Sequence, residues 1–169
     1  VDTTRWGQVV DALVARMRAT NGFEGPQDTG DSIRVYDGPE IDADTNEVTQ
    51  YLVIGLPADG PGEGESGTTS QTPGPMATPR PRDEAGVILC RAAAQLGDVN
   101  SKGARDACLA ILAAVETELR APFDGPTVGL STPRLVVQME SSTQPIRQYI
   151  LAGSCCEIDF SLKYETRLN

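Results

Sequence analysis

Serine, cysteine and carboxylate side chains occur throughout this chain, but histidine does not occur at all. That removes the commonest general base near neutral pH, and no serine or cysteine comes with another base placed to activate it. Glu157 and Asp159 lie two residues apart in "CCEIDFSLKYE", so on an extended strand both carboxylates point to the same side. Such a pair can do acid–base work inside a closed cleft; on an open strand face it is solvated or meets another chain. The four cysteines, Cys90, Cys108, Cys155 and Cys156, are too scattered for a disulfide framework. Without histidine a zinc site would need all four thiols, so free, inert thiols are expected, with no metal and no cofactor. The expectation is a protein that is not an enzyme.

Three short motifs invite a chemical reading and fail on context. "GEGESG", Gly62 to Gly67, has dinucleotide-fingerprint spacing but is preceded by Pro61, carries two glutamates that would repel phosphate, and leads into no helix. "DADTNE", Asp42 to Glu47, opens like a calcium loop. The pattern then needs glycine at its sixth position and glutamate at its twelfth, where this chain has Glu47 and Val53. An acidic hairpin turn is the expectation there. "TPRPR", Thr78 to Arg82, has the composition of a polyproline segment, fit for a stiff linker or for docking in an aromatic groove.

Apolar spacing supplies the elements that must carry these residues. Trp6, Val9, Val10, Leu13 and Met17 recur at helical intervals behind a Thr3–Thr4 cap, predicting a helix over 4–20. Ser32 to Tyr36 and Val48 to Leu56 read as strands, and Gly86 to Gln95 as a third. A second helix is predicted from Lys102 to Arg120, capped by Asn100 or Ser101, with Ala104, Cys108, Ile111, Leu112, Val115 and Leu119 on one stripe. Leu135 to Met139 and Gln144 to Ile150 follow as strands. The closing strand, beyond Gly153, sets Cys156, Ile158, Phe160, Leu162 and Tyr164 on one face, and Glu157, Asp159, Ser161, Lys163 and Glu165 on the other. Between these elements, residues 57–84 lack apolar periodicity and are dense in Gly, Pro, Ser and Thr, which predicts a long flexible loop or arm. The expected fold is α+β, in one domain over 1–169: a mixed or antiparallel sheet of about four to six strands flanked by two α-helices, with that insertion.

Composition narrows the class further. The chain has 169 residues, 5% of them aromatic, and a net charge of −10. A modest aliphatic core of that kind gains from burying surface against copies of itself. An acidic surface does not grip nucleic acid, because binding depends on Lys and Arg displacing counterions from phosphate. No apolar run is long enough to span a bilayer and no charged-then-apolar leader is present, so the expectation is a chain made in the cytoplasm, with no membrane partner.

The layout resembles the tail terminator (tail completion) proteins of long, non-contractile-tailed bacteriophages. The residues that carry the resemblance are the N-terminal amphipathic helix, the helix "GARDACLAILAAVETELRA", the strand "PRLVVQME" and the close "YILAGSCCEIDFSLKYETRL". It spans nearly the whole chain except 57–84, which is longer than the loops associated with that family. The resemblance implies a virion protein: a homo-oligomeric, hexameric ring on the head-proximal end of the tail, stopping tube polymerisation. Its partners would be the tail tube protein and the head–tail connector or stopper, with DNA passing through the lumen unread. Under that reading Glu157, Asp159, Lys163, Glu165 and Arg167 are candidates for the lumen or the subunit interface. Pro73, Pro75, Pro79, Arg80 and Arg82 are candidates for an arm that docks on a partner. Another connector or stopper of the neck remains the alternative, followed by a cytosolic α+β ligand-binding module.

Overall fold

The computed structural model describes residues 4–23, 33–38, 50–55, 67–73, 82–122, 124–131, 134–140, 146–151 and 153–168. Two helices and seven strands follow in the order α1 (Trp6–Ala19), β1 (Arg34–Asp37), β2 (Gln50–Ile54), β3 (Gly67–Pro73), β4 (Arg82–Leu96), α2 (Ser101–Leu119), β5 (Val136–Met139), β6 (Ile146–Ile150) and β7 (Ser154–Leu168). The fold is α+β, as the sequence predicts.

Two 15-residue strands, β4 and β7, form its spine. They pair antiparallel from Arg82↔Leu168 to Leu96↔Ser154 without a break. Shorter strands fill both outer edges of this ribbon. Along β4, β3 covers Arg82–Ile88 and β2 covers Cys90–Ala94, with β1 beyond β2. Along β7, β6 covers Ser154–Ile158 and β5 covers Leu162–Glu165.

Alternation decides the two faces. Ile88, Cys90, Ala92 and Ala94 of β4 join Cys156, Ile158, Phe160, Leu162 and Tyr164 of β7 in a single buried core. The stripe Val9, Val10, Leu13, Val14 and Met17 brings α1 onto it, and Ala104, Cys108, Ile111, Val115 and Leu119 bring α2. Each large side chain so buried contributes roughly 1.5–3 kcal/mol. The run of alanines in β4 suits this arrangement: small side chains let α2 approach until the Cys108 thiol donates to the Ala92 carbonyl at 3.1 Å. Asn100 caps α2, its side chain accepting from the Gly103 amide at 2.9 Å.

Two differences from the sequence reading have physical causes. Strands β1 and β2 pair in parallel, so the acidic stretch between them does not close a hairpin. A parallel pair requires the chain to return to the end where it began, and periodicity carries no information on strand direction. Strand β3 is the seventh strand and lies inside the stretch predicted as loop. Its Thr69, Ser70, Gln71 and Thr72 are all exposed, so it has no apolar alternation to betray it. Residues 82–84, also read as loop, open β4; the remainder of the predicted loop, 57–66 and 74–81, lies outside the described residues, as does the acidic stretch 42–47.

Candidate assembly surface

The sheet face opposite the helices carries the charged residues of β7, and no helix among the described residues covers it. Register sets what each one meets. Asp159 stands directly across from Arg91, whose guanidinium forks onto it, Nε to Oδ1 at 2.5 Å and Nη2 to Oδ2 at 3.1 Å. From the other side β6 delivers Arg147, which bonds Asp159 Oδ2 and reaches Glu157 at 3.5 Å. Glu157 faces the small Ala93, leaving room for Arg91 Nη1 at 4.0 Å and for the Tyr149 hydroxyl, which donates to it at 2.9 Å.

The electrostatics follow from this lattice. The hydrogen bond to Asp159 holds the Arg91 guanidinium above its usual value. Burial, with the Glu157 carboxylate it donates to, raises the Tyr149 phenol. Burial, again with Glu157, raises Tyr51, whose ring packs edge-on to Tyr36 at 6.0 Å between centroids. Two arginines face two carboxylates, so this half of the surface is locally balanced although β7 alone reads as acidic.

Towards the other end of β7 the pairs are more exposed. Lys163 and Glu165, on one strand face, lie 2.8 Å apart. Arg167 reaches across its register partner Asp83 with Nε to Oδ1 at 2.8 Å and Nη2 to Oδ2 at 3.3 Å. Thus all five β7 candidates share one face, and each is held in an ion pair. Of the arm candidates, Pro73 ends β3 opposite Arg82, and Arg82 donates to Gln71 Oε1 at 3.0 Å. Pro75, Pro79 and Arg80 lie outside the described residues. Such a surface offers geometry for contact, through preset charges and aromatic edges, rather than a nucleophile. Of the cysteines, Cys155 shares this face opposite Tyr149, whereas Cys90, Cys108 and Cys156 lie in the core on the helix side. All four are buried and free, with burial pushing the Cys90 and Cys108 thiols up to about 12.

One group of residues escaped the sequence reading. Glu84 is 1% exposed, on the helix side of β4. Its Oε1 accepts from the Thr4 hydroxyl (3.0 Å), the Arg5 amide (2.9 Å) and the Tyr164 hydroxyl (2.7 Å), and its Oε2 from Gln71 Nε2 (2.9 Å). Helix α1 has no acidic residue in its first turn; β4 supplies the anion that its N-terminus favours. The N-cap of α1 is Arg5, with no side-chain cap bond, rather than the expected Thr3–Thr4; Thr4 lies just before it, accepting from the Trp6 amide at 3.2 Å while donating to Glu84. The available signal was Tyr164, an apolar-face tyrosine whose hydroxyl needs a partner once buried. Its partner sat in the stretch read as loop.

No protein-family model matches this chain, and no curated protein matches it.

Proposed function

We propose that this chain is a tail terminator: a protein that closes the head-proximal end of a phage tail tube as a hexameric ring, ends tube growth and joins the tail to the neck. The observation that supports this most is the closing strand. Strand β7 is paired with β4 over its full length and backed by α2, yet it turns a row of charged side chains to a face that no helix among the described residues covers. A cap on a head-to-tail polymer needs such a specific contact face on one side. The layout of the sequence adds the resemblance to terminators.

In this reading Glu157 and Asp159 meet a neighbouring subunit or the lumen as a neutralised lattice with Arg91 and Arg147. Repulsion of DNA phosphate then comes from the overall charge of −10. The tail tube protein and the head–tail connector are the partners, and the protein resides at the top of the virion tail. The test is to polymerise the tube subunit of the same genome with increasing amounts of this chain. Tubes that shorten with dose and carry a ring at one end are the expected result. Tubes whose length does not respond would overturn the proposal.

A further inference from the structure

All five residues of strand β6 are exposed. It pairs with β7 on one side, and among the described residues the outward backbone groups of Ile146–Ile150 have no partner. Open edges are normally protected by lysine, proline or a bulge. This one instead carries Ile146 at 52% exposure and Ile150 at 64%, and the turn after it carries Leu151 at 75%. The edge is held to its neighbours. Gly153, at φ +128, lies so close to the Leu96 carbonyl that a Cβ would come within 1.8 Å of it, so only glycine fits there. Gln148 donates to the Ser101 carbonyl at 3.1 Å, and Arg147 and Tyr149 are held by Asp159 and Glu157.

The sequence of this strand, "IRQYI", is complementary to itself about its centre. In an antiparallel pair centred on Gln148, Ile146 stands opposite Ile150 of the second copy, Arg147 opposite Tyr149, and Gln148 opposite Gln148. Apolar meets apolar on the helix side, and cation meets aromatic ring on the other, so no like charges face each other. We propose that β6 is the two-fold contact of a homodimer, joining the sheets of two copies edge to edge. The lattice Arg91–Asp159–Arg147 would then continue onto Tyr149 of the second copy. A head-to-tail ring joins unlike patches, whereas this contact joins like to like, so the dimer is a state of the free chain and stands apart from the ring proposal.

The full-length chain tests this by sedimentation equilibrium and cysteine cross-linking. The unmodified protein is expected to be a dimer, and Ile150→Lys, at an exposed position, to weaken association at least about tenfold with an unchanged circular dichroism spectrum. Directly opposed strand residues are within disulfide range. With oxidised glutathione, Gln148→Cys should therefore cross-link to itself, while Ile146→Cys should do so only when mixed with Ile150→Cys; the native thiols are buried. A monomeric unmodified protein, an assembly that survives Ile150→Lys, or Ile146→Cys self-cross-linking as readily as Gln148→Cys would overturn the proposal.

Discussion

Glu84 shows what one side chain can hold together. It ties the start of α1, the edge strand β3 and the spine strand β7 through four neutral donors. Truncation to alanine strands those donors in a buried site, and Glu84→Ala should cost about 3 kcal/mol in urea unfolding. Burial raises the Glu84 carboxyl, but the bonds from Tyr164, Arg5, Gln71 and Thr4 outweigh it and leave the group below its ordinary 4.5. A carboxylate depressed in the folded state adds stability that is fully present above the unfolded value and is lost as pH falls through the folded one. Asp83, Asp106 and Asp124 are likewise lowered by their Arg167, Lys102 and Arg16 partners. The contribution of Glu84 is therefore read as a difference: the unmodified protein should lose more stability than Glu84→Gln as pH drops below 4.5. Parallel pH profiles would show that the clamp does not titrate. Apart from the buried Tyr164 hydroxyl, this is not legible in the sequence, because Glu84 lies in Gly- and Pro-rich surroundings and its four partners are 13 to 80 residues away.

At the scale of the element, the spine depends on a glycine. Gly86 stands opposite Tyr164, and the tyrosine ring lies across it so closely that a Cβ on Gly86 would sit 2.3 Å from Tyr164 Cε1. The missing side chain lets the phenol reach Glu84 from the next strand. Gly86→Ala should destabilise by about 2–3 kcal/mol, whereas Gly97→Ala, with nothing within 4 Å, should be near neutral; urea midpoints of the two variants check this. Elements with one buried face were readable in advance. The alternation of β7 and the stripes of α1 and α2 placed their apolar faces where the structure has them. Strand β3 was not readable, because a strand exposed on both faces has no period to detect. The parallel pairing of β1 and β2 depends on a connection, not on a pattern. The partners of Glu157 and Asp159 were hidden for a related reason: Arg91 is 68 residues from Asp159 and meets it only through the β4–β7 register.

For the molecule as a whole, the charged face divides into a half-buried lattice and a more solvated end. Removing Asp159 leaves Arg91 and Arg147 without their shared carboxylate, and Asp159→Ala should cost about 2 kcal/mol. Glu165→Ala, at the exposed end, should leave the urea midpoint unchanged. Substitutions that probe the role of this face in assembly are therefore best made at Lys163, Glu165 and Arg167, where folding is least at stake. The central claim is that this sheet, with its contact face, ends a tail tube. Deleting the gene from its source genome and viewing the lysate by negative-stain electron microscopy tests it most directly. The account predicts overlong tail tubes beside heads without tails. Tails of normal length, attached or loose, would contradict it.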